Sequence, residues 1–343
     1  YIIQDANNDF AVSDFINNEW VLDEGFTNVF NFNQKVLGAY GTGAYEGEKW
    51  GVKVGLRLEN TDLNTLLETN NTANSQNYTN LFPSLHTSYK INDQFSLQAG
   101  YSKRIERPSL WSLNPFFNIR NNFNIRLGNP DLGPEFTDSY EMTGIYILDK
   151  ISFNFGVYHR YTTGVVERIT TSEDNVNISR PINLGTNAST GLEINAKYNP
   201  AKWLRFNGDF NYRYFSRLGE LEGQSFDFAA DQWSTRLTAK FKLPAQIDLE
   251  VMGNYRSDVQ TVQGERSGFA FADLGARKKI NKGKAVISLS VRDLFASRIF
   301  ETEVLQEDFY AYSYGLRGRF IILGFSYGFG KGEAMQYGGG RRR

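Results

Sequence analysis

Cysteine is absent from this 343-residue chain, and histidine occurs only twice, as His86 and His159. The first absence excludes a disulfide scaffold and thiolate metal sites. The second leaves few imidazole ligands, and no HExxH, GxSxG or P-loop motif appears to organise catalysis or phosphate binding. Neither sign of charge dominates: 37 Lys+Arg stand against 38 Asp+Glu, with no basic stripe on any segment, so nucleic acid is not an expected partner. No stretch approaches the roughly 18 to 20 continuous apolar residues of a spanning helix, and the mean hydropathy is -0.45. Tyr1-Ile2-Ile3-Gln4-Asp5 has neither a basic nor an apolar leader segment, so the leader of an exported protein is expected upstream.

What is present is alternation. Phe95, Leu97, Ala99 and Tyr101 share one parity against Ser96, Gln98, Gly100 and Ser102. Leu204, Phe206, Phe210, Tyr212 and Tyr214 oppose Arg205, Asn207, Asp209, Asn211 and Arg213. Trp233, Leu237, Ala239, Phe241 and Leu243 oppose Ser234, Arg236, Thr238, Lys240 and Lys242. Period two over such lengths is that of a strand with two unlike faces. Thirteen such runs are expected near 35–46, 49–67, 77–91, 94–106, 136–148, 151–170, 186–198, 204–218, 231–243, 246–260, 267–280, 284–300 and 310–330.

The junctions alternate in length. Short ones carry turn chemistry, such as Glu46-Gly47-Glu48, Asn92-Asp93, Pro244-Ala245 and Asn281-Lys282-Gly283, whereas 68–76 and 107–132 are long. Tight turns at one end and long loops at the other describe an all-β, transmembrane, antiparallel up-and-down barrel of an outer membrane. Only alternate residues of such a strand face lipid, which reconciles the low hydropathy with a membrane address. Phe, Tyr and Trp make up 15% of the chain and gather near strand ends, as interfacial girdles require. A soluble sandwich would use the same alternation with its apolar rows buried between two sheets. Strand length favours the barrel, because runs such as 49–59 and 151–166 exceed the soluble mode of roughly 5 to 6 residues.

If the last strand descends to the periplasm, so does the first, and 1–34 is expected to be an extracellular loop segment ahead of the wall at 35–330. An odd strand count cannot close a bacterial single-chain barrel. The chain is therefore expected to be the carboxy-terminal part of a larger one. The tail at 331–343 is Gly-rich, ends Arg341-Arg342-Arg343, and is expected to be flexible and periplasmic.

One stretch is more specific. Residues 104–141 read RIERPSLWSLNPFFNIRNNFNIRLGNPDLGPEFTDSYE. With Asn80-Leu81-Phe82-Pro83-Ser84, the Asn183, Gly185, Gly191 and Glu193 of NLGTNASTGLE, Arg292-Asp293-Leu294-Phe295, and the ending Leu323 to Lys331, this resembles the TonB-dependent outer-membrane receptors, in particular the barrel type abundant in Bacteroidota. The resemblance implies a plugged barrel of about 22 strands, of which the amino-terminal plug and early strands have no counterpart in these residues. It implies energised uptake of a scarce nutrient, with a TonB-type energy-coupling protein as partner through the plug. No enzyme activity and no cofactor are expected. An alternative is a receptor-like barrel serving as a structural subunit of an outer-membrane complex, holding surface lipoproteins or other subunits by its long loops.

Residues are assigned accordingly. Trp111, Phe116, Phe117 and Arg120 are candidate ligand or partner contacts, or they simply pack the loop. Arg104, Glu106, Glu141, Arg160, Arg236 and Glu250 are candidate lumen-lining charges, expected mostly to pair across strands. Phe325, Tyr327 and Phe329 are in phase on the last strand and resemble the signal read by the barrel-assembly machinery; as a plain apolar stripe they would face outer-membrane lipid. No metal site is expected.

Overall fold

The computed structural model describes residues 1–116, 123–221, 224–306 and 309–329. A single antiparallel sheet of fourteen strands dominates it. The strands are β1 (Ile2–Phe10), β2 (Asn28–Glu46), β3 (Trp50–Leu67), β4 (Thr72–Lys90), β5 (Phe95–Glu106), β6 (Glu135–Ile147), β7 (Ile151–Thr163), β8 (Thr186–Ala201), β9 (Leu204–Leu221), β10 (Gln224–Leu243), β11 (Ile247–Arg256), β12 (Phe269–Ile280), β13 (Ala285–Arg292) and β14 (Phe320–Tyr327). Each bonds to its sequence neighbours and to no other wall strand, the up-and-down order expected of a barrel wall.

Two-layer packing is ruled out by surface. The chain exposes 22530 Å², whereas a compact monomer of its mass would expose about 14,000 Å². The apolar rows are the exposed ones, with Leu237 at 64% and Leu323 at 75%. A face of that composition is stable only against hydrocarbon.

The connections after β2, β4, β6, β8, β10 and β12 are all short and lie at one end of the sheet, although at the other end β3 also passes to β4 through only Glu68–Asn71. Ala245 and Gln246, and likewise Asn281 and Lys282, take positive φ in consecutive pairs, the turn geometry that matches strand twist. The Asn92 side chain accepts from the Gln94 and Phe95 amides at 2.9 and 2.8 Å to close another. Next to this end Trp50 meets Tyr89 with ring centres 4.4 Å apart, and Trp203 faces Phe241 at 6.4 Å. Farther up the wall, Tyr101–Tyr140 and Trp233–Tyr255 contacts at 5.0 and 4.3 Å give a second aromatic level.

The opposite end carries two further sheets. One has three strands, Asn124–Arg126, Val166–Glu173 and Val176–Asn183. The other has four, Val259–Thr261, Gly264–Arg266, Ile299–Leu305 and Tyr310–Leu316.

Several sequence boundaries change. Segment 1–34 is not all loop: Ile2–Phe10 joins the wall along the upper part of β2, Ile2 opposite Val36 and Phe10 opposite Asn28, while Ser13–Ile16 and Glu19–Leu22 form a separate hairpin. The run 68–76 is not a long loop, because Asn71 in the left-handed region lets β4 begin at Thr72. The run 151–170 breaks at Gly164, whose φ is +66°, and its end leaves the wall for the three-stranded sheet. The last two runs split likewise, with Ile299–Leu305 and Tyr310–Leu316 diverted into the four-stranded sheet before β14 returns.

Candidate functional site

Strand parity fixes which side chains look inward. Arg57 and Glu59 on β3 share a face with Thr61, Leu63, Thr65 and Leu67, and register puts these opposite Phe30, Phe32, Gln34 and Val36 of β2 and Tyr78, Asn80 and Phe82 of β4. Low on this face the residues are charged; higher up they are uncharged, mostly apolar, and buried. What covers them is the connection from β5 to β6, which folds inward.

Arg107 roots that connection. Its Nη2 donates to Glu59 Oε2 at 2.7 Å, and Nε and Nη2 both donate to the Thr61 hydroxyl. Arg57 holds the other carboxylate oxygen of Glu59 at 3.2 Å and stacks over Phe82 at 4.9 Å. A short helix follows, Leu110–Leu113, with the Ser109 hydroxyl accepting from the Ser112 amide. Leu113 and Leu132 are fully buried against Phe30, Phe32, Leu63 and Leu67. Burying each of these leucines contributes about 2 kcal/mol.

The Asn-Pro-Asp-Leu turn is tied down at each residue. Gln76 Nε2 donates to the Pro130 and Leu132 carbonyls, and Asn74 Nδ2 to Asp131 at 2.7 Å. The Gly128 amide donates to the Asn114 carbonyl at 2.8 Å, so close an approach that a β-carbon there would collide with that backbone. Asn183 knits the base: its Oδ1 accepts from the Gly133 amide, and its Nδ2 donates to the Gly133 and Gly164 carbonyls. Gly185, two residues on, needs both its φ of +61° and its missing side chain to pass the Leu218 carbonyl.

Of the loop contacts expected from sequence, Phe116 packs against the apolar cluster with its ring 6.3 Å from Phe10. Trp111 stays 71% exposed. Phe117 and Arg120 lie outside the described residues.

The six lumen candidates all fall on the inward face but do not converge. Glu141 pairs with Arg160 at 3.5 Å and accepts from Ser139; Arg160 also stacks on Tyr158 at 4.4 Å. Glu250 meets Lys240 directly across the ladder at 2.8 Å. Arg236 donates to Asn254 rather than to the facing Asp209, and Arg104 to Ser102. Glu106 lies opposite Glu135 in register. With side chains about half exposed, the Glu141 and Glu250 pairs contribute under about 1 kcal/mol each. They set the polarity of the wall more than its stability. Sequence reading missed Gln232, which is buried and accepts from both Arg213 and Arg256 at 3.0 and 3.1 Å; an isolated glutamine carries no signal of that role.

Asp293 of the Arg-Asp-Leu-Phe motif is buried and turns the chain out of β13, accepting from the Ser297 and Arg298 amides while its own amide donates to Asp273. Phe325 and Tyr327 lie on the apolar row of β14, and Phe329 continues their parity just past its end, 5.0 Å from Tyr327. His159 sits on the apolar row of β7 and shares a hydrogen bond with Thr190 at 2.8 Å. Among the described residues no group of three or more His, Asp or Glu side chains is placed to hold a metal ion, and no helix is long and apolar enough to cross a membrane.

Comparison with known proteins gives a consistent picture. The outer membrane protein beta-barrel family is matched over residues 1–327. No curated protein sequence matches the chain. Among solved structures it is similar to the siderophore receptor PiuA from Acinetobacter baumannii, at 15% identity and a TM-score of 0.64 over 87% of this chain and 43% of that one. The copper transporter OprC aligns at 15% identity and a TM-score of 0.62 over 86% and 46%. The ferric yersiniabactin uptake receptor FyuA from Yersinia pestis aligns at 14% and 0.61 over 87% and 46%. The chain thus spans less than half the length of these three structures.

Proposed function

The chain belongs to the outer membrane protein beta-barrel family, and from that membership we propose that it forms part of the wall of a TonB-dependent receptor for energised uptake of a scarce nutrient. The observation that carries this reading is the inward-folded connection between β5 and β6, pinned by Arg107 to Glu59 and sealed by Leu113 and Leu132. It narrows the outer mouth of the wall and presents Trp111 there. The similarity of fold to a siderophore receptor, a ferric yersiniabactin uptake receptor and a copper transporter supports the same role.

In this reading the wall is one portion of a barrel of about 22 strands, with a plug inside it through which a TonB-type protein delivers energy. The inward pairs such as Glu141–Arg160 and Lys240–Glu250 form the surface on which the plug rests, and the motif order supports a barrel of the Bacteroidota type. Phe325, Tyr327 and Phe329 form the stripe engaged by the barrel-assembly machinery, and the tail at 331–343 lies outside the described residues. The reading assigns the protein no chemistry of its own. A strain lacking the protein should fail to grow on one class among iron complexes, glycans and peptides supplied singly. Growth restored by the intact gene but not by one lacking 108–133 supports uptake; growth unaffected on every source overturns it.

A second reading, a receptor-like subunit that holds surface lipoproteins, is favoured by the hairpin Ser13–Ile16 and Glu19–Leu22, where Phe15, Trp20 and Leu22 are all exposed. Stoichiometric partners that copurify after loss of the TonB system, and that leave when 13–22 is deleted, would establish it in place of transport.

A further inference from the structure

The two sheets at the outer end face each other across a cleft of about 380 Å³, and their registers sort charge. On the three-stranded sheet, Arg168 is two pairs removed from the Thr170–Ser179 pair, and Ser179 is opposite Arg126, so both arginines share one face while Glu167, Glu173 and Arg180 take the other. On the four-stranded sheet, Arg266 lies opposite Thr302, and Thr302 opposite Ser313. The acids Glu265, Glu301 and Glu303 have the opposite parity. Arg126, Arg168 and Arg266 therefore line the cleft with the hydroxyls of Ser179, Thr302 and Ser313.

Glu167 also borders this space despite its opposite parity, and it is paired with Arg217. Arg168 donates to the Ser179 carbonyl and has no carboxylate partner among the described residues. Burial, and then the charge of Arg126, draw the Arg168 guanidinium below the ordinary arginine range, as expected of like charges without a counterion. Gln263 fixes the width of the cleft: its Oε1 accepts from the Thr170 amide and its Nε2 donates to the Thr170 carbonyl, both at 2.8 Å, across 93 positions of sequence.

We propose that this cleft is a binding site for an oxyanion-bearing ligand, one whose phosphate or carboxylate groups are taken by Arg126, Arg168 and Arg266. Forked guanidinium donors match the planar or tetrahedral oxygens of those groups, and three of them suit a ligand with more than one anionic group. The site rests on the reading that these sheets face the cell exterior.

The test is calorimetric titration of the full-length protein in neutral detergent micelles. Pyrophosphate and citrate serve as free probes, and lipopolysaccharide in mixed micelles as the lipid-headgroup source. Each of R126Q, R168Q and R266Q should weaken the probe that binds by about tenfold, and the triple variant should abolish binding. R205Q, on the inner face with Asn199 as partner, should leave it unchanged. Arg→Lys versions keep the charge and lose the fork, so an intermediate loss separates recognition from general attraction. Binding of the free probes identifies a soluble ligand and binding of lipopolysaccharide alone a headgroup, both supporting the site. Absence of binding, or binding that the triple variant retains, overturns it. Uptake measured in parallel separates the two readings: transport without anion binding removes this site alone, and anion binding without transport leaves the site and removes the receptor role.

Discussion

Arg107 shows how much one side chain can decide. It joins the first residue of an outer connection to Glu59 and Thr61, two strands away in the sheet, at 2.7 to 3.2 Å. Arg107→Ala should remove about 2 kcal/mol from the seating of that connection. In limited trypsinolysis of the detergent-solubilised protein, cleavage within 108–133 should accelerate roughly tenfold or more while the wall stays protected. Gly128→Ala pushes a methyl group into the Asn114 carbonyl and should give the same cleavage pattern at a cost of about 1 to 3 kcal/mol. Unchanged cleavage in both variants would mean that the connection is held from elsewhere. The residues of this site were partly legible. Pro108, Gly128, Asn129 and Asn183 stand in recognisable motifs, but nothing local pairs Arg107 with Glu59, which precedes it by 48 positions.

At the level of the strand, period two was the readable signal, and it holds across the wall. It fails where two alternating runs meet at a bend. Tyr310, Tyr312, Tyr314 and Leu316 share one parity and Leu323, Phe325 and Tyr327 the other, and Gly318, with φ of +74°, lies between these two strands of different sheets. The first strand was missed for the reverse reason, because IIQDANNDF scarcely alternates and is held by its ladder to β2 rather than by a buried face. The assignment of faces has a direct test. Leu237→Arg, on the apolar row, should lower unfolding stability in lipid vesicles by about 2 to 4 kcal/mol, whereas Thr238→Arg on the inward row should cost less than about 1. Equal penalties would contradict the orientation of the whole sheet.

Taken whole, the molecule has almost no interior. Its large exposed area and outward leucines mean that hydrocarbon does the work a core does elsewhere. Purified protein should remain monodisperse with β-type circular dichroism in detergent, and should aggregate when detergent is withdrawn; a soluble monomer would refute the membrane wall. The exception to this lack of core is the upper corner built by β2, β3 and the β5–β6 connection. A spanning strand needs about 9 to 11 residues, while β2 has 19. At about 3.3 Å per residue and a tilt near 45°, the surplus stands roughly 20 Å clear of the bilayer. Phe30, Phe32, Leu63, Leu67, Leu113 and Leu132 give that rampart a small soluble-protein nucleus of its own. The shape of that rampart is therefore set by its own packing and does not depend on the lipid below.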